Sequence, residues 1–208
     1  MPKIINERYK EFIEKGTINL FSMEELDKGL VKAGRSKFGN MARAFLIVLY
    51  YTGARPVELL QLKPTNFTKT KSFLDINIPT AKKGKARMVS IPMSRKYVTE
   101  LFKYASSLFD EIYIFYELIS KRTKVIPSKK TGELKEYIVN TDRVYYYIKK
   151  WIDVNPYFLR HSRMSSLMKG GIDMIGLQQF KGTIRPDSVM PYLHMSKQMA
   201  QKIGRKLK

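Results

Sequence analysis

The chain has 208 residues, with 39 lysines and arginines against 18 aspartates and glutamates, a formal charge of +21. Apolar residues make up 44 %, enough for one sizeable domain and too many for a largely disordered chain. Cysteine is absent and the histidines are His161 and His194, without the spacing of a zinc pair, so disulfides, thiolate metal sites and a bound zinc are not expected. The most apolar run, Ala44 to Tyr51, is too short to span a bilayer, and the N-terminal stretch lacks the apolar core of a signal peptide. These features point to a cytoplasmic protein with no membrane partner and no cofactor. The charge attracts polyanions and gives sequence-independent affinity for nucleic acid; a basic protein of ribosomal type is the bland alternative.

Residues 1–20 read as a polar lead-in. Ser22 and Glu25, behind Phe21, form a capping box that starts a helix through about Lys32. Asn40 to Tyr51 is a strongly apolar helix stopped by Gly53, and Pro56 opens a short helix through Leu60. Lys71 to Pro79 alternates as a strand, Lys83-Gly84-Lys85 is a turn, and Arg87 to Ile91 returns as the second strand. Ser94 is expected to cap a helix through about Leu108. The basic segment Lys121 to Glu136 is a loop or irregular hairpin. Thr141 caps a helix to Ile152, where at least one of Tyr145, Tyr146 and Tyr147 must face the core, and Pro156 sits in a turn. Arg160 to Lys169 is helical and ends at Gly170-Gly171. Asp173 caps the next helix, which stops near Gly182, and Pro186 begins a short helix reaching Tyr192. A basic C-terminal helix or tail starts at Ser196. The fold class is mainly α with a small antiparallel β-sheet (α+β).

Three residues carry a possible chemistry. Arg55 follows a helix-ending glycine, Arg160 lies near a helix start, and Tyr192 comes late. Attack on a phosphodiester builds extra negative charge on the nonbridging oxygens. Guanidinium is planar, permanently charged and bidentate, so two arginines suit that charge better than lysines. A tyrosine can be the covalent nucleophile. Neighbouring guanidiniums would favour its ionised form.

The same residues resemble a family. Thr52-Gly53-Ala54-Arg55-Pro56-Val57-Glu58-Leu59 resembles the first arginine box of the tyrosine recombinases, or phage-type integrases. Leu159-Arg160-His161-Ser162 resembles their second arginine box, and Lys181-Gly182-Thr183 through Pro191-Tyr192 their nucleophile box. The segment Ala81 to Arg87 is similar to their β-hairpin lysine. The four elements keep the family's order over about residues 22 to 196. They imply a catalytic DNA breaking-rejoining domain at 21–208 without the helical clamp domain that family members usually carry in front, so either a catalytic fragment or a compact single-domain version is expected.

The resemblance implies that Tyr192 attacks a scissile phosphate, forms a 3′-phosphotyrosyl link and frees a 5′ hydroxyl, without metal or ATP. A hairpin lysine would protonate the leaving oxygen as general acid. Lys82 fits that place best, with Lys83 and Lys85 as competitors. Glu58 would orient the surroundings of Arg55, or be an ordinary exposed carboxylate. Two positions depart from the pattern. Tyr157 stands where the family has a histidine three residues before the second arginine, and Thr183 where it has histidine or tryptophan after the glycine. Both can still donate hydrogen bonds to a phosphate, but neither can act as a base near neutral pH as imidazole can. Some integrases of archaeal viruses and plasmids similarly lack the usual histidines. His161 could assist at the phosphate or satisfy a buried hydrogen bond.

Lys83, Lys85, Arg87, Lys121, Arg122 and Lys124 are candidates for backbone contacts with double-stranded DNA. A tetramer on DNA is implied. Gln198 to Lys208 is either an element exchanged between neighbours or a basic solvated helix. Two other readings stand beside the recombinase: a type IB topoisomerase, and a catalytically inactive DNA-binding regulator on the same fold.

Overall fold

The computed structural model describes residues 20–80, 85–118, 123–127, 134–138, 142–183 and 185–193, with the backbone alone at 123–127, 134–138, 142, 191 and 193. The expected cap of Thr141 and the helix or tail from Ser196 lie outside these residues.

Helix α1 (Met23–Gly34) starts at the expected capping box: Ser22 Oγ accepts from the Glu25 amide at 3.2 Å, and the Glu25 carboxylate accepts from the Ser22 amide at 2.8 Å. Helix α2 (Gly39–Thr52) is buried on nearly every face, from Met41 through Thr52. It therefore forms the axis of the core, as an all-round apolar helix must. It packs against α1, α4 (Val98–Ser106) and α6 (Pro156–Lys169). Gly53 ends it at φ 54°, a left-handed conformation that suits glycine. The one-turn helix α3 (Pro56–Leu59) follows, with Pro56 at its first position.

Three antiparallel strands form a sheet in the order β1 (Phe67–Lys69), β2 (Phe73–Ile78) and β3 (Arg87–Pro92). The register of β2 with β3 pairs Phe73 with Pro92, Ile76 with Val89 and Ile78 with Arg87. Leu74, Ile76 and Ile78 point into the core, as alternation requires. The basic segment beyond residue 120 contains a two-stranded antiparallel hairpin, β4 (Thr123–Pro127) with β5 (Leu134–Ile138). The α+β class expected from sequence is the observed one. The three-residue β1 was too short to carry a periodicity signal.

Other element bounds differ from expectation. Helix α4 begins at Val98, behind a left-handed Tyr97 (φ 68°), rather than at Ser94. Tertiary contacts override the local cap signal there: Tyr97 Oη donates to Asp27 Oδ1 at 2.8 Å, Lys96 pairs with Asp27 Oδ2 at 2.7 Å, and Tyr51 Oη donates to the Lys96 carbonyl at 2.8 Å. Pro156 is not in a turn; it is the first residue of α6, capped by the Asn155 side chain, which accepts from the Tyr157 amide at 2.9 Å. Helix α7 (Met174–Lys181) is capped by Asp173 as expected. The segment from Pro186 to Tyr192 is a 3-10 turn (Pro186–Ser188) and then a separate one-turn helix α8 (Met190–Leu193).

Helix α5 (Asp142–Ile152) buries Val144, Ile148, Trp151 and Ile152 along one face. Tyr146 is exposed, while Tyr147 stacks on Trp151 and meets Phe38 edge-on at 4.7 Å. Its contact with α1 depends on Gly29, whose Cβ, if present, would lie 2.5 Å from Ile152 Cγ2. Gly29→Ala should therefore destabilise: overpacking costs about 1–3 kcal/mol, against a gain of up to about 1 kcal/mol from removing a mid-helix glycine. Urea unfolding followed by the fluorescence of Trp151, the one tryptophan in the sequence, measures it.

Candidate active site

The site is built at helix ends. Gly53 closes α2 and Arg55 caps α3 in an extended conformation (φ −73°, ψ 142°). The Glu58 carboxylate folds back on that cap: Oε2 accepts from the Arg55 amide at 2.9 Å, and Oε1 accepts from Arg55 Nη1 at 2.7 Å. Oε2 also accepts from Arg87 Nη2 at 2.9 Å. Glu58 is only 2 % exposed, so it is not an ordinary surface carboxylate. Burial acts most strongly on it and raises its pKa. The charge of Arg87 and the hydrogen bonds from Arg55 and Arg87 together outweigh burial and hold it below the usual carboxylate value.

Arg87 is a correction to the sequence reading. It was expected on the DNA backbone, but it is 8 % exposed and paired with Glu58. Its position at the start of β3, opposite Ile78, turns it inward against Gly182. A Cβ at residue 182 would sit 2.8 Å from Arg87 Nη1 and 3.1 Å from the Lys85 carbonyl. With φ at 68°, that position favours glycine on conformational grounds as well. Arg87 Nε and Nη1 have no hydrogen-bond partner among the described residues.

Arg160 projects from the second turn of α6 and joins two other helix ends. Its Nη1 donates to the Gly53 carbonyl at 2.6 Å and its Nη2 to the Lys181 carbonyl at 2.8 Å. A fixed cation at two helix C-termini is electrostatically favoured. Burial, and then the neighbouring Arg55, lower its pKa to about 10, so it remains charged at neutral pH. Tyr192 acts on it in the opposite sense. Arg55 and Tyr192 thus each lie within electrostatic reach of Arg160, although the sequence separates the three widely.

Tyr192 is 1 % exposed. Its Oη lies 2.6 Å from His161 Nδ1. Of the two uses considered for His161, the structure displays the buried hydrogen bond. Burial, then Lys181, then Arg160 lower the His161 pKa to about 4, so the ring is neutral at pH 7. Lys181 places its Nζ 5.2 Å from the centroid of the Tyr192 ring and donates to the Ser188 carbonyl. Burial, then Arg160 and Arg55, lower its pKa to about 8. The sequence reading did not single out the Lys181 side chain. Its place just before the nucleophile-box glycine was the available signal.

Thr183 is half-buried; its Oγ1 accepts from Ser188 Oγ at 3.1 Å. Tyr157 lies apart from this packing, 46 % exposed on the first turn of α6 with its ring near Tyr145. Lys85 is exposed. Lys82, Lys83, Lys121 and Arg122 lie outside the described residues, and for Lys124 only the strand backbone is described. No cluster of three or more His, Cys, Asp or Glu residues able to hold a metal occurs among the described residues. No helix among them is long and apolar enough to cross a membrane.

Residues 23–199 match the Phage integrase family, and the chain belongs to that family. It is 27 % identical over 178 residues to a tyrosine recombinase of Thermosipho africanus, covering 86 % of this chain and 58 % of that one. It is 33 % identical over 142 residues to the tyrosine recombinase XerA of Pyrococcus furiosus, covering 67 % and 45 %. The chain spans about half the length of the curated relatives it matches. Among solved structures, a XerA recombinase superimposes with a TM-score of 0.58 at 22 % identity, covering 89 % of this chain and 62 % of that one. The catalytic domain of bacteriophage HP1 integrase gives 0.51 at 17 % identity, covering 89 % and 93 %. These likenesses establish the fold as that of tyrosine recombinase catalytic domains.

Two consequences are measurable. Glu58→Ala leaves Arg87 buried without its carboxylate and should cost about 3–5 kcal/mol in chemical denaturation. His161 binds its proton more weakly in the folded chain, at about 4, than its ordinary 6.5. The unfolded chain therefore takes up the proton first on acidification. Stability from this group is fully present above about pH 6.5 and is lost as pH falls toward about 4, by on the order of 3 kcal/mol at most. The slope of unfolding free energy against pH should flatten in that window in His161→Gln.

Proposed function

We propose that the protein is a site-specific DNA strand transferase that cuts and rejoins DNA through a 3′-phosphotyrosyl intermediate, without metal or ATP. The observation that carries this reading is that Arg55 and Tyr192, from two other helices, both lie within electrostatic reach of Arg160. Arg55 and Arg160 would grip the nonbridging oxygens of one phosphodiester, each as a planar donor fork. Tyr192 would attack the phosphorus. The 5′ oxygen would leave with a proton from a hairpin lysine, for which Lys82 is the candidate and Lys85 and Lys83 the competitors. Thr183 and Tyr157 would donate hydrogen bonds to the phosphate where the family's histidines stand.

In this scheme Glu58 keeps Arg55 in place and Arg87 acts behind it, away from the DNA. Lys83, Lys85, Lys121, Arg122 and Lys124 would contact the backbone of double-stranded DNA and add salt-dependent affinity. The freed 5′ hydroxyl of a partner strand would reverse the attack, so phosphodiester energy is retained in the tyrosyl link. Exchange between two duplexes calls for a tetramer on DNA, and the chain would work as a DNA-associated cytoplasmic protein. The names of its relatives support this reading: the chain matches proteins called tyrosine recombinases, and a structure of XerH site-specific recombinase bound to difH substrate shares its fold at 22 % identity, with a TM-score of 0.55.

The test is a covalent trap. The protein is incubated in EDTA with nicked DNA fragments from its own genetic neighbourhood and resolved on denaturing gels. A protein–DNA adduct is expected from the unmodified chain and not from Tyr192→Phe, with DNA affinity retained in the variant. DNA binding without any adduct would turn the reading toward an inactive regulator. Relaxation of plasmids lacking any target site would turn it toward a topoisomerase.

A further inference from the structure

The family's usual imidazole is missing from the position three residues before Arg160, and the tyrosine that replaces it is turned to solvent. One imidazole nonetheless reaches the reacting hydroxyl. His161 follows Arg160 on α6, and its Nδ1 lies 2.6 Å from Tyr192 Oη. We propose that His161 is the proton acceptor for Tyr192 in strand cleavage, taking at position 161 the task that residue 157 cannot perform. This inference rests on the strand-transfer reading above.

The geometry suits the step. A general base must lie within hydrogen-bond reach of the proton it takes, and Nδ1 does. A neutral imidazole with its proton on Nε2 presents a lone pair at Nδ1, and the phenol can only donate to that lone pair. His161 is neutral in the free chain because burial and the cations Lys181 and Arg160 disfavour its charged form. A phosphodiester held by Arg160 and Arg55 would bring a negative charge among those cations. It would offset their influence and raise the proton affinity of His161 as the substrate arrives. Basicity at position 161 would thus be coupled to occupancy of the arginine pair.

The balance is complete. The phenolic proton moves to Nδ1, Tyr192 Oη bonds to phosphorus, and the bond from phosphorus to the 5′ oxygen breaks. That oxygen takes its proton from the hairpin acid. In the rejoining step the 5′ hydroxyl attacks and returns its proton to the hairpin acid, the tyrosyl–phosphorus bond breaks, and His161 returns its proton to Tyr192. Lys181, over the Tyr192 ring, favours the transient negative charge on the phenol.

The test uses the full chain in single-turnover adduct formation on the nicked DNA identified by the covalent trap. His161→Gly is expected to slow adduct formation by about 100-fold or more, the usual span for a lost general base. Added imidazoles should restore the rate in proportion to their free-base concentration, more strongly for the more basic members of the series. His161→Gln, which accepts a hydrogen bond but no proton, should be as slow as His161→Gly without rescue. A His161→Gln rate equal to the unmodified chain would overturn the proposal, as would absence of rescue in a His161→Gly protein that unfolds cooperatively. A second arm does not depend on cleavage. Nitrogen NMR of the imidazoles, simplified by there being two histidines, should show Nδ1 of His161 unprotonated and perturbed in Tyr192→Phe. A proton resident on Nδ1 would overturn the role whatever the kinetics. If the unmodified chain forms no adduct on any fragment, the strand-transfer reading and this role fall together. If it cleaves and the His161 variants cleave equally, this role alone falls.

Discussion

A single buried carboxylate organises the site. Glu58 holds the amide and guanidinium of Arg55 and the guanidinium of Arg87 at once. Arg87 lies against Gly182, whose left-handed turn closes α7. The last carbonyl of α7, that of Lys181, receives Arg160. The positions of three arginines from three parts of the chain therefore follow from one anion and one glycine. With Lys181 nearby, four cations face one carboxylate, and a phosphodiester would offset part of the excess. Crowding buried like charges is costly, and an anionic ligand would recover part of that cost on binding.

Helix termini do the rest. The Gly53 and Lys181 carbonyls sit at the C-terminal ends of α2 and α7, where carbonyls lack intrahelical partners. Arg160 satisfies both with charge-assisted bonds and joins the two helices in doing so. The guanidinium is oriented by the fold's own backbone and needs no flexible partner to hold it. In the proposed reaction that arrangement would preorganise a cation for a developing negative charge, the condition under which such a group contributes most to catalysis.

Much of this was legible in the sequence because the signals were local. The Ser22–Glu25 box, Gly53, Pro56, Asp173 and Gly182 each determine a helix end by backbone chemistry, and the structure places them there. The arginines and the tyrosine were legible through the spacing of boxes. What escaped was set by tertiary contact. Tyr97 takes a left-handed conformation because Asp27 on α1 holds it and Lys96, and nothing near Ser94 announces that. Arg87 looked like any basic strand residue until Glu58, far away in sequence, was placed beside it. The Lys181 ammonium was hidden for the same reason. Its partners, Ser188 and Tyr192, come from the turn that follows, whose path no periodicity reveals.

The candidate nucleophile sits on α8, a helix of four residues. A single turn is not stable in water by its own hydrogen bonds. What holds the segment is the burial of the Tyr192 ring and the bond of its hydroxyl to His161. The candidate nucleophile is thus also the anchor of its own segment. Because the residue has almost no exposed surface at rest, an external phosphorus would reach its hydroxyl only after the packing over the site opens. A substrate that requires that opening would engage only the opened fraction of molecules, and its apparent affinity would fall by that fraction. Loosening the packing around Tyr192 would tighten such a substrate's binding even as it weakened the fold, so stability and readiness for such a substrate would be set against each other at one side chain.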